Sequence, residues 1–147
     1  MLRILYFSFT SIGGVKIRKR SGDIYSLDGA TWTSIGNLDE PRRLHACVVE
    51  GKYMYMVGGF GAGSKLRTTE ILDLETRELQ SGPILPWAAA SPQAFIYNGT
   101  IYVVAGNGKW AKLEKNENIW INIPNNFHPR TRQVFPPQLI GNQIINA

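Results

Sequence analysis

The stretch Gly51-Lys52-Tyr53-Met54-Tyr55-Met56-Val57-Gly58-Gly59 decides the fold, because it recurs. Its counterpart is Asn98-Gly99-Thr100-Ile101-Tyr102-Val103-Val104-Ala105-Gly106, and Gly141-Asn142-Gln143-Ile144-Ile145-Asn146-Ala147 opens in the same way. Each copy is a turn followed by an apolar or aromatic strand, and the first two then close on a pair of small residues. Tyr55 and Tyr102 are 47 residues apart, Tyr102 and Ile145 43.

Other landmarks keep the same order. Tyr25 precedes Trp32 by seven residues, Leu72 precedes Leu79 by seven, and Leu113 precedes Trp120 by seven. The pair Gly13-Gly14 stands before the first of these, as Gly58-Gly59 and Ala105-Gly106 stand before the others. Pro41-Arg42-Arg43 follows Trp32 and Pro129-Arg130-Thr131-Arg132 follows Trp120, while Pro83 to Pro86 fills that place in the middle repeat without an arginine. A period in the mid-forties built from short strands predicts a β-propeller blade of four antiparallel strands.

The landmark order (a double glycine, a tyrosine, a tryptophan about seven residues on, then an arginine opening the next blade) resembles the kelch repeat over nearly the whole chain. The unit around Gly58-Gly59 departs by carrying Leu72 and Leu79 in place of the aromatics. The next has Ala105 for one glycine and Leu113 for the tyrosine. The expected fold is all-β, with three to four kelch-type blades in an incomplete ring: a partial first blade over residues 1–40, a second over 41–86, a third over 87–129 and a partial fourth over 130–147. Strands lettered A to D from the propeller axis outward give the first blade B, C and D, with B around Phe7 to Ile12. Tyr25, Trp32 and Trp120 are expected as wedges packed between neighbouring sheets. Open strand edges at both ends invite pairing. Three explanations stand: a fragment of a longer protein, two copies completing a ring, or a strained four-blade ring.

Composition agrees with a globular all-β chain. Of 147 residues, 44% are hydrophobic and 18% charged, and fifteen glycines and eight prolines punctuate the apolar runs. The single cysteine, Cys47, excludes an internal disulfide and a multi-cysteine metal site, and it reads as a small buried hydrophobe. No apolar run approaches the roughly 20 residues that cross a bilayer as a helix. The opening Met1 to Ile12 lacks a small-x-small cleavage site, and Asn98-Gly99-Thr100, though a glycosylation sequon, reads better as a tight hairpin turn. A cytoplasmic location is the expectation, with secreted and nuclear locations left open.

The charges sort by connectivity. Strands alternate in direction, so the B–C and D–A loops share one face of the blades and the A–B and C–D turns share the other. The first set carries Lys16, Arg18, Lys19, Arg20, Arg42, Arg43, Lys65, Arg67, Lys109, Arg130 and Arg132 against the acids Asp39 and Glu40. The second set of turns, together with the outer strands, carries Asp28, Glu50, Glu70, Asp73, Glu75, Glu78, Glu114 and Glu117. A basic face suits an acidic peptide or loop, because the guanidinium fork grips a carboxylate bidentately. The candidate partner-binding residues are therefore Lys19, Arg20, Arg42, Arg43, Lys65, Arg67, Lys109, Arg130 and Arg132. For Arg42, Arg43 and Arg130 the alternative is a bond to neighbouring-blade carbonyls.

The kelch resemblance implies a protein-interaction scaffold, such as a substrate-recognition module of a ubiquitin-ligase adaptor or a cytoskeletal binder. No catalytic residue, cofactor or metal site is expected. His45 and His128 have no ligand partners at useful spacing, and Gly58 to Gly63 precedes a strand where a phosphate loop would precede a helix. The alternative class is a propeller enzyme or a carbohydrate-binding module of sialidase or galactose-oxidase type. The stretch Ser26 to Trp32 comes one residue short of the sialidase-like motif and reads as an Asp-Gly hairpin. Nucleic acid is the weaker partner: the run Lys16 to Arg20 is basic, but no recognition motif accompanies it.

Overall fold

A computed structural model of the chain describes residues 3–5, 22–28, 31–124, 138–140 and 143–145. The described residues are all-β and lie in four antiparallel sheets. The first sheet holds β1 (Arg3–Leu5), β2 (Asp23–Asp28) and β3 (Thr31–Asn37). The second holds β4 (Ala46–Glu50), β5 (Tyr53–Val57), β6 (Thr69–Asp73) and β7 (Leu79–Ser81), paired in chain order. The third repeats that meander with β8 (Gln93–Tyr97), β9 (Thr100–Val104), β10 (Trp110–Glu114) and β11 (Ile119–Ile123). A hairpin of β12 (Gln138–Ile140) and β13 (Gln143–Ile145) forms the fourth.

The second sheet is covered on both faces, which explains why β5 is apolar throughout. Met54 and Met56 turn one way, to pack with Ile24, Leu38 and Leu72 towards the first sheet. Tyr55 and Val57 turn the other way, onto Ile101, Val103, Leu113 and Trp120 of the third sheet. The period-two alternation of a strand thus serves two cores at once. The turns fit their residues. Asn98 and Gly99 both take positive φ, 46° and 70°, in the two-residue hairpin between β8 and β9, where right-handed strand twist favours that geometry.

Gly58 and Gly59 close β5 at φ 63° and 98°. A Cβ on Gly59 would lie 2.7 Å from the carbonyl oxygen of Arg43 and 2.8 Å from the Cβ of His45, so only glycine fits. Gly106, its counterpart in the next repeat, lacks that constraint, since a Cβ there would meet nothing within 4 Å.

Leu72 faces Leu79 across β6 and β7, and Leu113 faces Trp120 across β10 and β11. The seven-residue landmark pairs in these two sheets are therefore cross-strand neighbours. In the first sheet they are not. The short Asp28–Thr31 hairpin and an irregularity at Ile24/Tyr25 set Tyr25 opposite Ser34 and Trp32 opposite Leu27. The reading of Trp32 as a packed wedge needs correction, because it is 42% exposed where Trp120 is 6%. Trp120 is covered by the sheet that precedes it in the chain, and among the described residues no sheet covers Trp32 in that way.

Two smaller expectations also change. The strand paired to β2 is Arg3–Leu5, not a segment around Phe7 to Ile12; that segment, with Gly13 and Gly14, lies outside the described residues. Cys47 is solvent-accessible, because it sits on the innermost strand β4 and faces away from the third sheet. The protein packed close around it still pushes its thiol up to about 11.

Candidate functional site

The loops joining second to third strands and the linkers joining sheets do share a face. The loop of residues 58–68 is tied to the linker before β4 by paired backbone bonds between Arg43 and Phe60. It is tied to the linker before β8 by Gly59 N–H to Ala89 O at 2.8 Å, Ala89 N–H to Leu66 O at 3.0 Å and Leu85 N–H to Arg67 O at 2.8 Å. These bonds make one continuous surface from three non-consecutive segments. The opposite turns are tied to one another in the same manner, as in Leu74 N–H to Lys52 O at 2.8 Å.

Arg42 does not belong to the accessible surface, and its assignment as a partner-binding residue is corrected here. Its side chain is fully buried. One guanidinium nitrogen donates to Gly58 O at 3.0 Å and Thr68 O at 2.9 Å; the other donates to Thr68 Oγ1 at 3.1 Å and pairs with the Glu70 carboxylate. Glu70 then accepts the Asp39 N–H at 2.7 Å. Glu70 thus lies at the loop end of the outer strand β6. This buried fork closes the ends of the 58–68 loop and fastens the incoming linker to it. A buried guanidinium needs such satisfaction, because an unpaired charge there would cost several kcal/mol.

His45 sits beside this fork. Burial, and then the Arg42 charge, lower its pKa to about 4, so the ring is neutral at physiological pH.

Four cations remain on this face. Arg43 is half-buried, with its guanidinium 5.1 Å from the centroid of the Phe60 ring, a stacking geometry that holds the fork without neutralising it. Arg67 donates through Nε to Leu85 O at 2.8 Å and is otherwise exposed, as are Lys65 and Lys109. None of the four is ion-paired among the described residues, where Asp39 and Glu40 are the nearby acids. Two large apolar side chains stand among them, Leu44 at 54% exposed and Ile84 at 61%. On the other side Lys52 pairs with Asp73 at 2.7 Å, Lys112 with Glu114 at 2.5 Å, and Lys115 with Glu50. Lys19, Arg20, Arg130 and Arg132, with Lys16, Arg18 and His128, lie outside the described residues.

Phe60, Leu44 and Ile84 were not singled out by sequence reasoning. Phe60 lies in a glycine-rich run that carries no period, and exposure of an aliphatic residue in a linker has no sequence signature. Among the described residues no three His, Cys, Asp or Glu side chains are grouped to hold a metal ion. No helix of the described residues is long and apolar enough to cross a membrane.

Four-stranded antiparallel meanders stacked face to face, with their first strands β4 and β8 side by side, define a segment of β-propeller. The solved structure of YjhT has the same fold, with a TM-score of 0.66 at 15% identity over 77% of this chain and 47% of that one. No family model matches the chain. Kelch domain-containing protein 3 of Homo sapiens and of Rattus norvegicus are each 30% identical over 125 residues, covering 73% of this chain and 32% of theirs. Kelch-like protein 7 of Rattus norvegicus is 28% identical over 86 residues, covering 58% of this chain and 15% of its own length. The chain belongs to the kelch-repeat family of β-propellers. It spans about a third of the length of the Kelch domain-containing protein 3 relatives it matches.

Proposed function

We propose that this chain is a partner-docking module whose loop face binds an acidic peptide or loop of another protein. The observation that carries the reading is the contrast in charge pairing. Arg43, Lys65, Arg67 and Lys109 carry no ion pair among the described residues, whereas on the other side Lys52, Lys112 and Lys115 are each matched to a carboxylate and only Arg77 among the described cations there is not. Cations left unneutralised on one rigid surface steer an acidic partner and set its orientation. Leu44 and Ile84 supply apolar contact points beside them. The partner segment that fits is acidic and carries an aliphatic or aromatic anchor.

In kelch terms this is the work of a substrate-recognition module in a ubiquitin-ligase adaptor or of a cytoskeletal binder, and that finer role belongs to the proposal. The test is a fluorescence-anisotropy titration with a labelled Glu/Asp-rich peptide containing one leucine, repeated over a salt series. The triple reversal Arg43→Glu, Lys65→Glu, Arg67→Glu is expected to weaken binding more than tenfold, about 1.4 kcal/mol or more, and to flatten the salt dependence. Unchanged affinity and an unchanged salt slope would refute the reading.

A further inference from the structure

The side away from the docking loops has a second feature. Between the second and third sheets lies a cleft of about 390 Å³, floored by Ile71 and Leu113. Tyr53 and Tyr55 of β5 and Gln80 of β7 form one wall, and Asn118, in the turn before β11, forms the other. The Glu50–Lys115 ion pair bridges the two sheets at the mouth, and Lys115 Nζ also donates to Gly99 O at 3.2 Å.

What distinguishes this cleft is its unspent hydrogen-bonding capacity. The hydroxyls of Tyr53 and Tyr55 and the side-chain amides of Gln80 and Asn118 have no hydrogen-bond partner among the described residues. Two phenols and two carboxamides converge there, each able both to donate and to accept. Burial, with Glu50 and Tyr53 nearby, raises the Tyr55 pKa, so its phenol stays protonated and keeps its donor. Among the described residues the charges lining the cleft, Glu50 and Lys115, neutralise each other. A free anion or cation therefore has no unmatched charge to meet. A hydroxyl, which also donates and accepts, matches every free group on the walls.

We infer that this inter-blade cleft binds a neutral polyhydroxylated small molecule of monosaccharide size, on the face opposite the docking loops. The volume lies within the range of small-ligand pockets, and the apolar floor of Ile71 and Leu113 suits the C–H face of a sugar ring. Because the walls come from two sheets, a bound molecule ties neighbouring blades together. This site does not depend on the docking-face reading.

The test uses the ¹⁵N-labelled chain and records backbone amide shifts on titration with glucose, galactose, mannose and N-acetylglucosamine singly. Sodium phosphate and sodium glutamate serve as charged controls. At least one sugar is expected to shift the amides of residues 50–55, 80 and 115–118 saturably, with a dissociation constant on the order of 1 mM. Tyr55→Phe, which keeps the ring in the core, is expected to weaken it about tenfold, and Gln80→Ala and Asn118→Gly about fivefold each. Gln80 and Asn118 are exposed, and glycine accepts the φ of 54° at position 118, so these two variants leave the fold intact. Lys65→Glu on the docking face should change nothing here. The inference is overturned if no sugar gives a saturable shift at about 50 mM, well above the expected constant. It is also overturned if phosphate or glutamate binds in a sugar's place, or if the cleft variants bind as the parent does.

Discussion

The second and third sheets share a strand order and a repeat length yet are fastened differently. Ten residues after its outer-strand landmark Trp32, the linker into the second sheet places Arg42, a charged fork buried against Gly58, Thr68 and Glu70. Ten residues after Leu79, the linker into the third sheet places Ala89, held only by backbone bonds to Gly59 and Leu66. The third sheet compensates with indoles. Trp120 Nε1 donates to Thr69 Oγ1 of the second sheet at 3.1 Å, and Trp87 Nε1 donates to Asn122 Oδ1 at 3.0 Å. The fork holds the incoming linker to the second sheet's own loop, whereas the Trp120 indole bonds across to the preceding sheet.

The largest effect that would break or sharpen this comparison is at Arg42. Arg42→Ala leaves Glu70 buried without its partner and should cost about 4 kcal/mol in urea unfolding. Replacing both partners, as Arg42→Met with Glu70→Leu, should restore most of that loss, because two apolar side chains leave no orphaned charge. A double variant as unstable as the single one would mean that the carbonyls of Gly58 and Thr68, not Glu70, need the fork.

Trp120→Ala should cost about 3 kcal/mol through lost packing and an unpaired Thr69 hydroxyl, whereas the exposed Trp32→Ala should cost about 0.5 kcal/mol or less. Equal losses at the two tryptophans would show that Trp32 is covered in solution.

Acid gives a further, smaller test. His45 titrates near 4 in the folded chain and near its ordinary 6.5 when unfolded, so the unfolded state binds the extra proton as pH falls through that window. The His45 contribution should be flat above pH 6.5, decline by on the order of 3 kcal/mol between 6.5 and 4, and level off below. His45→Asn should flatten that part of the thermal-melt profile.

Much of this architecture is legible from residue spacing alone. The copies at Gly51 and Asn98 mark hairpins between corresponding strand pairs, and Gly59 of the small pair sits where a side chain would strike Arg43 and His45. Spacing reads period and direction, so it also assigns which loops share a face. It does not read depth. Arg42 and Arg43 are neighbours of the same charge, yet one is buried in a fork and the other lies over Phe60. Only the path of the 58–68 loop makes that difference. Spacing puts Glu70 among the residues of the opposite turns and outer strands; that it sits at the loop end of β6, within reach of Arg42, depends on where that strand begins. Trp32 was misjudged because the seven-residue interval does not tell whether a neighbouring sheet covers the ring, and among the described residues none covers it as the second sheet covers Trp120.

The contrast between the two faces, one with four unpaired cations and one whose lysines are matched to carboxylates, is tested most directly by hydrogen exchange on the chain with and without a saturating Glu/Asp-rich peptide. Protection confined to residues 58–68 and 82–92, and lost at high salt, is the predicted result. Protection at residues 50–53 and 73–79 instead, or none on the loop face at saturation, would contradict the assignment of that face as the docking surface.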